Sequence, residues 1–488
     1  MMSSAFRLTS LVAAVIAIRA LIAWLVPIDL AGDESYYWEW GRHVDVGFYS
    51  KPPLIGWLMA GLGILGVDTE LGIRLTAVMF GSLTLVFLVL LARDIFGDGV
   101  AERVALMTAL VPIALPANLL LTIDAPLSSC WAGALLAAWK ISTAAKPGLG
   151  RWHLLLLGTL ALGVLTKQIM LAFPALWIGW LALSPARRQV LIRPATWVVL
   201  LGSLLALLPP ILWNANEGWV TFEHTASHFK SSEWDPLRAA GWLLSFAGSQ
   251  AFLWGPVLSF AAIRLLVSSK RGNLTEEKGF LLTFSLPLAL VLVLALRQNV
   301  LPNWPAVFWL GLLVVTAQAI EPRTWRWVLR SNGLLSLGLL LLVMLAPLTP
   351  GSRSPLHRVL GWQEYATAVA RVDQAQWPQR EQIDQTRALI VFGHRYYASA
   401  LAFYHPERPF VRVYQTDAVI RTQYGIWDRR DPVTQAQALI VIPGAAATFP
   451  TELARRWPCA RPLGTVSSRI TSGAVRVVSL WRATKICN

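Results

Sequence analysis

About eleven apolar runs, most of them near 20 residues long, follow one another between residues 8 and 348. They fall at 8–29, 72–92, 104–119, 125–143, 153–166, 168–183, 195–213, 238–263, 279–297, 301–320 and 328–348. A run of that length matches the thickness of a bilayer when it is helical. In hydrocarbon every backbone N–H and C=O must be paired internally, which leaves helices and closed barrels. Barrel strands alternate in short segments, and these runs do not. The chain is therefore expected to be a polytopic α-helical membrane protein of about 11 transmembrane helices. Its composition agrees: 14% of the 488 residues are charged and the mean hydropathy is +0.53, against about 25% charged in soluble domains.

The stretch 153–183 is interrupted by Lys167. Reading it as two short helices meeting at Thr166-Lys167-Gln168 sets the parity of all that follows. With the N-terminus inside, the inner loops then hold Arg93 and Arg103, Lys140, Lys146 and Arg151, and Arg187, Arg188 and Arg193. Later inner loops hold Arg264, Lys270, Arg271 and Lys278, then Arg323, Arg326 and Arg330. This satisfies the positive-inside rule. The apolar run at 8–29 is long for a signal peptide, and no good small-x-small cleavage site precedes Asp33, so it reads as an uncleaved first span. The net charge of +15 fits cytoplasmic loops and lipid phosphates; no nucleic-acid motif accompanies it, and no nucleic-acid partner is expected.

From about Thr349 the character changes. Pro350-Gly351-Ser352-Arg353 opens a polar segment that runs to Asn488. Residues 388–392 and 438–442 read as short buried strands with a helix near 396–404 between them, the pattern of a small α/β domain. The expected organisation is a transmembrane catalytic domain at 1–348, with a first outer loop at 30–71, and an extracytoplasmic α/β domain at 349–488. Cys130 lies in an apolar run and reads as inert. Cys459 and Cys487 both lie in the tail, and a disulfide between them follows if the tail is outside the cytoplasm.

On this topology Asp33, Glu34, Lys51, Asp124, Lys167, His224 and His228 all reach the outer side, a convergence not assumed in drawing the spans. Asp33 and Glu34 precede an aromatic run, Tyr36-Tyr37-Trp38; on the bland reading Asp33 is the N-cap of an interfacial helix, with Tyr37, Trp38 and Trp40 as its interface anchors. Lys51 precedes Pro52-Pro53 and an apolar helical run, so it stands near a helix N-terminus suited to anions; a snorkelling lysine is the alternative. Asp124 and Lys167 are ionisable groups at span ends, where burial is costly and function is the default expectation. Asp124 reads equally as a cap. His224 and His228, spaced i, i+4, are weak candidates for a metal. Arg297 and Asn303-Trp304 lie at a further outer span end.

With those residues in place, the chain resembles the GT-C glycosyltransferases that use polyprenyl-phosphate sugars, in the branch of the protein O-mannosyltransferases and bacterial lipid A aminoarabinose transferases. Asp33-Glu34-Ser35-Tyr36-Tyr37 resembles that family's acidic motif in the first outer loop. Tyr49-Ser50-Lys51-Pro52-Pro53-Leu54 resembles its second element, in which lysine contacts the donor phosphate. Asp124-Ala125-Pro126-Leu127, Leu165-Thr166-Lys167, Asn303-Trp304-Pro305-Ala306 and Arg395 to Tyr404 match further family patterns. Ser50 departs from the aminoarabinose transferases, which carry glutamate there, and this weakens both that sugar and a metal at that point.

The resemblance implies an inverting transfer from undecaprenyl phosphate to an envelope acceptor, either a lipid such as lipid A or a protein, at the outer face of the bacterial inner membrane. It implies Asp33 as general base, Glu34 beside it, Lys51 on the phosphate, and Lys167 and Arg297 in support. Asp124 orients its partners, and Tyr36 and Tyr49 line the sugar. No cofactor is required, and a divalent metal is left open. A transporter or flippase of a lipid-linked sugar is the rival, although such proteins keep ionisable groups near the midplane on broken helices.

Overall fold

The computed structural model describes residues 3–145, 148–229, 235–268, 274–348, 355–377, 387–414 and 419–487. Lys146, Lys270, Arg271 and the opening of the tail at 349–354 lie outside the described residues. The chain forms two compact units. The first comprises Met1–Leu25, Lys51–Leu54 and Leu71–Leu341; the second comprises Val26–Ser50, Ile55–Glu70 and Leu342–Asn488.

The first unit is helical. Among the described residues, five helices are long and apolar enough to cross a membrane: Ser4–Leu25, Glu70–Phe96, Pro194–Asn216, Glu276–Ala295 and Pro322–Met344. Several of the other predicted runs are short or broken helices. Run 153–183 ends its first helix at Thr166, leaves Lys167 extended, and resumes through a 3-10 turn into Ala172–Leu183. Run 104–119 divides into Asp98–Leu110 and Ala114–Leu119.

Run 238–263, expected as a single span, is two helices, Pro236–Trp254 and Pro256–Val267, bent by 109°. Gly255 between them has φ +88°, and a Cβ there would lie 1.8 Å from Asn332 Oδ1. Pro256 removes a donor and Gly255 takes the left-handed backbone, so the helix cannot continue. Asn332 Nδ2 then donates to the carbonyl of Trp254 at 3.2 Å, pairing a group the bend releases. The centre of this unit is aromatic: Trp131 meets Phe173, Phe284 and Phe308 edge-on at 5.2, 6.2 and 5.4 Å.

The second unit is built on a five-stranded sheet. Its strands are β1 (Arg387–Val391), β2 (Val411–Val413), β3 (Gln437–Pro443), β4 (Cys459–Thr471) and β5 (Ala474–Thr484), in the order β2-β1-β3-β5-β4. β1 pairs parallel with β2 and β3, whereas β5 runs antiparallel to β3 and β4. β1 is buried along its whole length, as expected of a parallel strand covered on both faces. The helix Arg395–Tyr404 connects β1 to β2.

Helix Gly32–Arg42 packs on helix Arg395–Tyr404. The contact needs small residues. A Cβ on Gly32 would meet the Tyr396 ring at 2.3 Å, and Ser35 and Ser399 share a hydrogen bond of 2.9 Å. Trp38 then meets Phe403 edge-on at 5.0 Å. Arg387, at the start of β1, forms a buried ion pair with Asp373 of the helix Trp362–Gln376.

Cys459 and Cys487 are disulfide-bonded with Cα atoms 5.4 Å apart, and Cys130 is free and buried. The bridge ties the start of β4 to the residues after β5. For a loop with a sequence separation of 28, such a bridge contributes on the order of 3 kcal/mol. Cys459→Ser is expected to lower the melting temperature of the purified protein and to abolish the mobility shift on reduction. An unshifted melting curve would count against a structural role for the bridge.

Candidate functional site

Asp33 belongs to the second unit and is the second residue of the helix Gly32–Arg42, whose N-cap is Ala31. It is therefore not the cap, and its side chain is 43% exposed. Its Oδ1 accepts from Tyr396 Oη at 2.9 Å and from Arg395 Nη2 at 3.4 Å. Glu34 instead turns inward. It is fully buried and its Oε2 accepts from the Ala31 N–H at 2.9 Å, half of a capping box. Of the paired acids, Asp33 is the one that a substrate can reach.

Aromatic rings surround this carboxylate. The Arg395 guanidinium lies 5.0 Å from the Tyr36 ring centroid and 4.8 Å from that of Tyr396. Burial opposes the Arg395 charge, but Tyr36, Tyr396 and Asp33 outweigh it and raise its pKa above the ordinary value. Burial, then the charge of Asp33, pushes the Tyr396 phenol up to about 12, so it remains a proton donor toward Asp33. Burial also raises Tyr36, whose Oη accepts from the Gln423 N–H at 2.6 Å. Tyr49 is held by its own N–H, which donates to Gln423 Oε1 at 2.8 Å. His394 is lowered by burial and by Arg395, and its Nδ1 accepts from the Tyr396 N–H at 3.3 Å.

The first unit has its own polar centre. Asp124 is the first residue of the helix Asp124–Thr143, and its side chain makes no cap bond. Its Oδ1 accepts from Lys167 Nζ at 2.9 Å and its Oδ2 from Asn303 Nδ2 at 2.5 Å. Lys167 can reach it because the helix Arg151–Thr166 stops one residue earlier. Asp124 and Asn303 also line a cavity of about 280 Å³, together with Arg19, Asn118 and Ser128.

Lys51 belongs to this unit. It lies close enough to His228 to lower the imidazole pKa, burial being the larger cause. His224 and His228 lie on one face, with ring centroids 4.8 Å apart, as their spacing predicted. No group of three or more metal-ligating side chains occurs among the described residues. Arg297 is exposed in a turn and forms no ion pair with a described residue.

The sequence reading assigned no role to Arg395, Tyr396 or His394, although it singled out their segment. Nothing in their spacing ties them to Asp33, because 362 positions separate Asp33 from Arg395.

Two outcomes check this geometry. Asp124→Ala combined with Lys167→Met in a double-mutant cycle is expected to give a stability coupling of about 0.5 to 3 kcal/mol; a coupling near zero would mean that the pair does not form. His228 should titrate below the ordinary histidine value of about 6.5, read as the pH dependence of its modification by diethyl pyrocarbonate. Lys51→Met should move that midpoint upward, because a neighbouring positive charge disfavours protonation. An unmoved midpoint would separate Lys51 from His228.

Residues 50–213 match the family described as dolichyl-phosphate-mannose-protein mannosyltransferase. The chain is similar to a lipid A galacturonosyltransferase, RgtD, of Rhizobium johnstonii. The two are 26% identical over 352 residues, which is 70% of this chain and 72% of the relative. Its fold is similar to that of ArnT from Cupriavidus metallidurans. The apo structure gives a TM-score of 0.64 at 16% identity, covering 98% of each chain. The structure bound to undecaprenyl phosphate gives 0.63 at 16% identity, covering 97% of each. The family match, the relative and the shared fold together support a glycosyltransferase that uses a lipid-linked sugar donor.

Proposed function

We propose that this protein transfers a sugar from a polyprenyl-phosphate donor to a lipid acceptor of the lipid A type, with inversion, at the extracytoplasmic face of a bacterial inner membrane. The observation that carries this reading is the Asp124–Lys167–Asn303 cluster at helix ends beside a cavity. Fixed charge at the edge of hydrocarbon suits a ligand with an ionic head and an apolar tail. The relative's activity on lipid A and the undecaprenyl phosphate bound to ArnT support the acceptor and donor classes. The Cys459–Cys487 bridge supports an oxidising compartment for the tail.

In this reading the acceptor oxygen attacks the anomeric carbon and the lipid phosphate leaves. Asp33 takes the acceptor proton. Its Oδ2 makes no bond to a described residue, while Oδ1 is held by Tyr396 and Arg395. Lys51 meets the negative charge that grows on the departing phosphate. Lys167, Asp124 and Arg297 serve as supporting polar groups and Tyr49 faces the sugar, whereas Tyr36, expected to line it, is buried between Gln423 and Arg395 and backs the wall behind Asp33. Glu34, buried against the Ala31 N–H, holds the helix that carries Asp33. The residues 1–348 form the catalytic part in this scheme, spanning the membrane about 11 times, and 349–488 form the extracytoplasmic domain. A protein acceptor and a divalent metal at His224 and His228 are lesser forms of the same reading.

The test is transfer by the purified protein in lipid nanodiscs, with a polyprenyl-phosphate sugar and a lipid A acceptor, read by mass spectrometry of the product. Asp33→Asn is expected to lower the rate roughly 100-fold or more, the usual worth of a general base. Lys51→Ala is expected to lower kcat/KM for the donor. Movement of the lipid-linked sugar across the bilayer without glycosidic product would instead identify a flippase.

A further inference from the structure

Arg395 is held as a fork but is barely used. Its guanidinium is flanked by the rings of Tyr36 and Tyr396, which fixes its plane. Only Nη2 makes hydrogen bonds to described residues, to Asp33 Oδ1 and Tyr396 Oη, both at 3.4 Å. These lie beyond the usual range for a charged pair, about 2.7–2.9 Å. Nε is buried and has no hydrogen-bond partner, an arrangement costly enough to call for an explanation. The side chain is still 28% exposed.

Its place in the fold is one where ligands collect. β1 lies between β2 and β3; the chain leaves β1 toward β2 on one side and returns to β3 on the other, so the crevice beyond the carboxyl ends of β1 and β3 is a topological switch point. Residues 393–395 leave β1 at that point, and Gly393 lies against Pro443 at the end of β3. The groups around Asp33 there are Tyr36 from its own helix, His394, Arg395 and Tyr396 from the β1 exit, and Arg358 from the 3-10 turn Pro355–Val359. Of these, Arg358 and Arg395 are permanently cationic and only Asp33 is an acid. A planar, part-exposed cation whose hydrogen-bonding capacity is largely unused matches a planar oxyanion in such a setting.

We infer that Arg395 seats a carboxylate carried by the transferred sugar, and that the protein is therefore selective for a hexuronosyl donor over the corresponding neutral hexose. The inference rests on the glycosyltransferase reading above and deepens it. A sugar that brings its reacting carbon to Asp33 also brings a substituent within reach of Arg395, because the two side chains touch. An aminosugar would present a cation to the guanidinium and would be disfavoured. The galacturonosyl relative agrees with this direction.

The experiment compares two donors, a polyprenyl-phosphate galacturonate and the matching galactose, each with phosphorylated and with dephosphorylated lipid A. For the unsubstituted protein, kcat/KM should favour the galacturonate by about tenfold to a hundredfold, the worth of one charge-assisted contact. Arg395→Met should bring that ratio to near unity, and Arg395→Lys should restore part of it. An equal fall for both donors with the ratio preserved would leave Arg395 a support for Asp33 and overturn the inference. Selectivity that instead followed the acceptor phosphate, and vanished with dephosphorylated lipid A, would assign the fork to the acceptor and overturn it too. A protein that uses neither donor would defeat the parent reading as well, whereas one that uses both equally would defeat only this step.

Discussion

The need to pair every backbone group in hydrocarbon governs the first unit. Where helices break, side chains reach in to take up the released carbonyls. Asn332 serves the bend at Gly255. Gln250 donates to the Pro302 carbonyl at 2.8 Å and accepts from Trp309 Nε1 at 3.0 Å. Arg19, buried in the first helix, donates at 3.0 Å to the carbonyl of Thr108 in the last turn of Asp98–Leu110, and also at 2.9 Å to that of Gly81 within the unbroken helix Glu70–Phe96. The breaks are therefore sustained by specific polar contacts, and they are what gives the unit cavities and positions such as Lys167. A set of uninterrupted helices would have neither.

The second unit solves a different problem, holding an exposed carboxylate in one orientation. Its helix pair comes close enough only because residue 32 is glycine and residues 35 and 399 are serine. That closeness lets a phenol and a guanidinium from one helix meet Asp33 on the other. The parallel strands beneath fix where the second helix begins. Rigid aromatic flanks add to the order, since Tyr36 and Tyr396 both keep their protons and neither competes for the charge.

Much of the helical pattern was legible in sequence. Long apolar runs and their interruptions mark helices and breaks directly, and Lys167 marked a real helix end. The Gly255 bend was missed because its two halves are equally apolar, so hydropathy sees one run; the Gly-Pro pair was the available signal. In the tail, β1 and β3 were legible as continuous apolar runs. β4 was not, because its outward residues are polar and its burial alternates irregularly. β5, the strand it pairs with, carries arginines at 476 and 482 that broke the apolar pattern.

The sequence by itself determined the helical membrane class, the acidic and lysine motifs, and the two tail cysteines, because each depends on residues that are neighbours in the chain or on composition alone. Only the tertiary structure decided that Asp33 and Glu34 differ in access, that Asp124 binds Lys167 and Asn303 rather than capping its helix, and that Arg395 meets Asp33. Those outcomes depend on contacts between residues far apart in sequence. They are fixed by how closely helices can approach and by which charges must be paired once water is excluded, and no local pattern encodes either.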